Sequence, residues 1–198
     1  MKKFRPLILI TVLLVIITVL AVRMISRESR YVPPEFYDAR NNGVVLAGEI
    51  VNLSRQSLTR LTRISELDQE KNFTKALALV SEELVEYQKS QEAAARLASR
   101  LETMARLLAD VRPARAREIA AEAISSEVAL VSRLVNYNDN LRDLFVVLQL
   151  KFNTRNASGD LDGRVNQLIT KINEQAKAIN QFNQRFNDAM AKFDKIFK

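Results

Sequence analysis

The sequence predicts an all-α protein: a single N-terminal transmembrane helix followed by an elongated antiparallel four-helix bundle with coiled-coil-like packing. Three observations carry this expectation. Only Thr11 and Thr18 interrupt an apolar run from Pro6 to Val22; helix breakers are scarce, with 4 Pro and 4 Gly in 198 residues; and beyond residue 43 apolar side chains recur at spacings of three and four.

The first element is the anchor. Residues 1–5 form a basic tail containing Lys2, Lys3 and Arg5, and the run that follows covers ~26 Å at 1.5 Å per residue. Arg23 can snorkel, letting Met24 and Ile25 extend the anchor to residues 6–25. A cleaved secretory signal needs small residues at its end, and Ala21 to Ile25 offers no such site, so an uncleaved anchor in the lipid bilayer is expected. Arg23, Arg27 and Arg30 follow the span and nearly balance the basic residues before it. The short tail favours a cytoplasmic N-terminus with the body outside the cytoplasm. The absence of Cys removes any disulfide framework and fits either compartment.

Charge placement agrees with an anchor. The net charge is +7, and residues 1–40 hold Lys2, Lys3, Arg5, Arg23, Arg27, Arg30 and Arg40 against Glu28, Glu35 and Asp38, more than half of the excess. Such a flank suits anionic headgroups, where each basic residue adds ~1 kcal/mol, better than a nucleic-acid duplex, which asks for a concentrated stripe. No nucleic-acid partner is expected.

Residues 26–42 read as a basic juxtamembrane segment and a short stalk, because Pro33 and Pro34 fix φ and favour extended backbone. The bundle is then expected over 43–198. A first helix at about 43–71 carries Leu46, Ile50, Leu53, Leu61, Ile64 and Leu67 on one stripe. A second, at about 74–110 with Thr74 as N-cap, carries Leu77, Val80, Leu84, Tyr87, Ala94, Leu97, Leu101, Met104 and Leu108. Its opposite face, including Glu82, Glu83, Glu86, Lys89, Glu92 and Arg96, reads as solvated, with Glu92 and Arg96 as an i,i+4 pair. Pro113 opens a third helix at about 113–153. There Leu144, Val146, Val147 and Leu150 widen the stripe, so this stretch lies deep in the bundle or meets a second partner. Residues 153–163, rich in Asn, Ser, Asp and Gly, read as a loop.

The fourth helix, at about 161–198, has the clearest repeat: Val165, Leu168, Ile172, Gln175, Ile179, Phe182, Phe186, Ala189, Phe193 and Ile196 alternate by three and four. Sustained 3.5-residue spacing implies shallow left-handed packing and an up-down bundle; a hairpin that completes its core by self-association is the alternative.

The chain contains no His and no Cys, which removes the common zinc sites, Ser-His-Asp triads and thiol nucleophiles. Glu82, Glu83 and Glu86, or Asp139 and Asp143, can align on a helix, yet the Glu-x-x-His ligands of a di-metal bundle cannot occur. They read as wet surface, and no catalytic, cofactor-binding or metal-ligating residue is expected. The sequons at Asn52, Asn72 and Asn156 read as chance in an Asn-rich chain. Asn138, on the third helix's stripe, either bonds across the bundle or faces water. Two sets are candidates for partner binding. Arg112, Arg115 and Arg117 can receive an acidic partner or a phosphate, although Glu118 and Glu122 dilute their field. Phe182, Phe186, Phe193 and Phe197 form either core or a docking stripe, with Phe197 outside the seam.

Ile179-Asn180, Phe186-Asn187, Ala189-Met190 and Phe193 are similar to the aromatic-Asn heptads in the last helix of LemA-type membrane-anchored bundles, as is the overall layout. The Leu-Ile-Pro-Asn-Leu-like segment expected in that family's early helices is missing, and no family is assigned on the likeness. The leading functional expectation is a membrane-tethered, non-enzymatic scaffold that presents its bundle to other envelope proteins. A sensory or small-ligand-binding bundle is the second.

Overall fold

The computed structural model describes residues 30–154 and 158–198. The anchor expected at residues 6–25, with its basic tail, lies outside them. Among the described residues no helix is long and apolar enough to cross a membrane.

Four helices follow one another in chain order, α1 (Pro34–Gln69), α2 (Phe73–Leu107), α3 (Ala114–Asn153) and α4 (Ser158–Phe197), with a 3-10 turn, Leu108–Asp110, after α2. The all-helical bundle is as the periodicity predicts. At 1.5 Å per residue, the 40-residue α3 and α4 are ~60 Å long. α1 starts at Pro34 rather than near residue 43. Proline has no N–H to lose at the first helical position and a φ already suited to the helix, so Pro33-Pro34 caps α1 instead of extending a stalk. This early start carries Phe36 and Ala39 into the core. Asn72, not Thr74, caps α2, its side chain accepting from the Lys75 N–H at 3.4 Å. Lys71 supports that turn with φ 59°. α4 begins at Ser158, so Gly163 is helical rather than part of a loop.

Neighbours in sequence are neighbours in space: α1 packs on α2, α2 on α3, and α3 on α4. The seam between the first and last helices is different. Among the described residues no Cα of α1 comes within 8 Å of a Cα of α4. The two are joined by long side chains, including stacked Phe36 and Phe193 with ring centroids 5.6 Å apart. Arg40 also donates from both terminal nitrogens to the Asp194 carboxylate, at 2.7 and 2.9 Å.

The core is in two parts. A proximal cluster, near the point where the chain enters, is built on Phe36, Leu97, Leu101, Met104, Met190 and Phe193 with a layer of alanines at 93, 94, 116, 120 and 123. A distal cluster contains Ile64, Leu67, Val80, Leu144, Phe145, Leu148, Phe152, Leu168 and Ile172. Between them lies a polar waist. Arg60 of α1 donates to Glu83 of α2, which is 1% exposed. Ser90 of α2 and Asn138 of α3 exchange hydrogen bonds at 3.2 and 3.0 Å.

The waist settles the Asn138 alternatives in favour of a bond across the bundle, and it corrects the reading of Glu83 as solvated. The α2 seam runs through Ala76, Val80, Glu83, Ser90, Ala94, Leu97, Leu101 and Met104, so Leu77 and Leu84 sit one position to its side and are only partly buried. Arg96 bonds Glu49 of α1 at 2.9 Å, not Glu92. In α3, Leu144 and Val147 are buried whereas Val146 and Leu150 are exposed. Asn72 of the second sequon is thus occupied as a helix cap.

Candidate functional site

Antiparallel packing brings the start of α3 beside the end of α4, and with them the two candidate residue sets. The entering chain is pinned there by a two-bond bridge: the Tyr31 N–H donates to the Arg112 carbonyl at 3.1 Å, and the Arg112 N–H to the Tyr31 carbonyl at 2.9 Å. Pro113, whose bond to Arg112 is cis, caps α3.

A surface depression of about 430 Å³ opens at this end, floored by Pro113, Ile119 and Ile196 and rimmed by Arg30, Arg115, Lys192 and Lys195. All four cations are exposed, and none forms an ion pair among the described residues. Of the three predicted arginines, only Arg115 lines the depression; Arg112 and Arg117 are exposed outside its lining. Lys192 and Lys195 were not singled out by the sequence. They lie one turn apart on α4, and only the chain reversal sets them beside Arg115.

The four phenylalanines divide. Phe193 is fully buried, stacked on Phe36 and 4.9 Å from the Phe197 ring. Phe197, expected outside the seam, packs half-buried against the proximal core, as does Phe186. Phe182 belongs to neither core cluster; it is half-buried, with the Arg185 guanidinium 5.4 Å from its ring centroid. α4 is well covered around Leu168 and Ile172 and from Ala189 to Phe193 and only half-covered from Gln175 to Phe186, and along its whole length no Cα of α1 comes within 8 Å of it among the described residues.

That separation leaves two openings between α1 and α4. A distal groove of about 470 Å³ is lined by Leu58, Leu61, Ile64, Leu148, Val165 and Ile169, among others. At its end Lys151 is held by Asp68 at 2.6 Å and Asp162 at 2.9 Å. Burial acts to lower the Lys151 pKa, but the bonds to these two carboxylates outweigh it and hold the ammonium above its ordinary value.

A proximal cavity of about 100 Å³ lies beneath Val44, Ala47 and Phe186 and reaches Glu127 of α3. Glu127 is 5% exposed, and its Oε2 has no hydrogen-bond partner among the described residues. Burial alone pushes its pKa from 4.5 to about 7. Arg40 and Arg100 line the same cavity, but Arg40 is engaged by Asp194 and Arg100 is exposed. Sequence reasoning missed Glu127. The available signal was its place between Ile124 and Leu134 in the α3 seam.

Among the described residues no three His, Cys, Asp or Glu side chains are grouped to hold a metal ion. Compared with known proteins, the chain matches no family model, no curated sequence and no solved structure. The likeness of Ile179 to Phe193 to a LemA-type last helix therefore stands on heptad spacing alone.

Proposed function

We propose that the protein is a membrane-tethered, non-enzymatic helical scaffold that stands outside the cytoplasm and presents its bundle to other envelope proteins. The carrying observation is the apolar run from Pro6 to Val22 with its basic flanks, placed immediately before a helical body. The incompletely closed α1/α4 seam supports the scaffold half of the reading, since it leaves Leu58 and Ile169 exposed at the edges of a groove. The chain's lack of His and Cys points the same way.

Alkaline carbonate washing of membranes, followed by protease treatment of intact spheroplasts, tests tether and orientation. The chain should stay in the washed pellet and its body should be digested. Release by carbonate would sink the anchor, and protection until lysis would reverse the topology. A photoreactive residue at Ile169 should form adducts with other envelope proteins in intact cells; adducts with lipid alone, or none, would remove the scaffold role.

A second reading, a bundle that takes a small ligand between its helices, is favoured by one observation. The Glu127 recess combines a partly open space between the helices with a buried carboxyl oxygen that has no partner among the described residues, an arrangement that accepts a small donor such as an amine. A thermal upshift with small primary amines that is lost in Glu127→Gln would support it.

A further inference from the structure

We infer that the depression rimmed by Arg30, Arg115, Lys192 and Lys195 is a phosphate site for the headgroups of anionic phospholipids, seating the bundle end-on against the bilayer. The inference rests on the tether proposed above and adds a specific contact to it.

The chemistry of the rim fits a phosphate. Two guanidinium and two ammonium groups line one depression, and none of the four forms an ion pair among the described residues, although Glu118 lies one turn from Arg115 and Asp188 one turn from Lys192. Arginine offers a planar fork of donors to phosphate oxygens, and lysine a compact charge. Three separate stretches supply them: the entering chain, the first turn of α3 and the last turns of α4. A solvated helix face draws its charges from one element, whereas these converge on a common hollow.

The floor suits a lipid better than a free anion. Pro113, Ile119 and Ile196 place apolar surface beneath the charges, as an amphipathic molecule requires. Location decides the source. Arg30 lies five residues beyond Ile25, the end of the expected anchor, and five residues reach at most ~18 Å fully extended. A tether that short holds the depression within roughly two Debye lengths of the headgroups. The Tyr31–Arg112 bridge then fixes which end of the bundle faces them.

The test uses the full chain mixed from detergent into vesicles of phosphatidylcholine, or vesicles with a third of that lipid replaced by phosphatidylglycerol, with amide hydrogen exchange as readout. Phosphatidylglycerol should slow exchange about fivefold or more over 111–120 and 190–197, the stretches around Arg115, Lys192 and Lys195, and leave 64–80 unchanged. The Lys192→Gln/Lys195→Gln variant should lose the difference while keeping wild-type exchange over 93–104 and 64–80, which shows that both core clusters are intact. Equal exchange in both vesicles would overturn the site. Slowing by millimolar inorganic phosphate over phosphatidylcholine alone, equal to that by phosphatidylglycerol, would overturn the lipid source. Flotation with and without a carbonate wash reads the tether separately. A chain that floats with both vesicles but shows equal exchange keeps its tether and loses the site. One that floats only with phosphatidylglycerol, and is released by salt, keeps the site and loses the tether.

Discussion

Replacing Glu127 with leucine is expected to stabilise the bundle at neutral and alkaline pH and to change how its stability depends on pH. The Glu127 carboxyl is buried with Oε2 unpartnered, and its pKa rises from 4.5 to about 7. With a raised folded-state pKa, the unfolded chain releases the proton first as pH increases. Glu127 therefore contributes no penalty from ionisation below 4.5, removes ~1.4 kcal/mol per pH unit between 4.5 and 7, and levels off above that, about 3 kcal/mol in total. Leucine has no proton to lose and fills part of the cavity beside it. The gap between Glu127→Leu and wild type should widen by about 3 kcal/mol from pH 4.5 to pH 8, about 6 to 12 °C in melting temperature for a body of this size. Thermal melts of the full chain in detergent micelles, followed by circular dichroism, read this directly. Other carboxylates titrate in both proteins and cancel in the difference. Parallel curves across the range would show that Glu127 reaches water or a partner, and the reasoning would fail.

Three further outcomes are expected in the same assay. Phe193→Ala, at a fully buried stacked ring, should cost about 3 to 5 kcal/mol, whereas Phe182→Ala, outside both cores, should cost about 1 kcal/mol or less; equal losses would contradict this division of α4. Arg60→Leu should cost about 3 to 5 kcal/mol because it strands the Glu83 carboxylate in the waist, and adding Glu83→Leu should recover most of that; a double variant as unstable as the single would refute the pairing. Asp194→Asn should cost about 1 kcal/mol by breaking the two-bond tie from Arg40, and in the Arg40→Gln background it should cost much less, which a double-mutant cycle measures.

What the sequence made legible follows from where the physical information resides. α4 could be read from its own residues, because its alternation of three and four is carried by large apolar side chains: Leu168, Ile172, Ala189 and Phe193 are buried as that pattern requires. α2 was misread because leucines at 77 and 84 flank a seam whose true members there are Ala76 and Glu83. A small residue and a charge signal burial only when their partners are known, and the partner of Glu83 lies on another helix at Arg60. Phe36 reads as stalk because two prolines precede it, yet the same prolines start a helix equally well. At the candidate site, Arg115 was visible as part of an arginine cluster. Its companions Lys192 and Lys195 are ordinary surface lysines until the α3–α4 reversal places them at the same hollow.

The polar waist has a consequence for how the bundle comes apart. Apolar contacts give a core its cooperativity, and here they are gathered into two bodies with ion-paired and hydroxyl-amide layers between them. Water can replace the partners of those layers at far lower cost than it can wet a layer of phenylalanine and leucine. The waist is therefore a weak layer shared by α1, α2 and α3, and the two halves are expected to open as separate units. The distal unit can open and exchange its amides while the proximal unit, tied by Phe36, Phe193 and Arg40, stays closed. The end that receives the chain is thus the half that holds longest, and the far end is the half free to breathe.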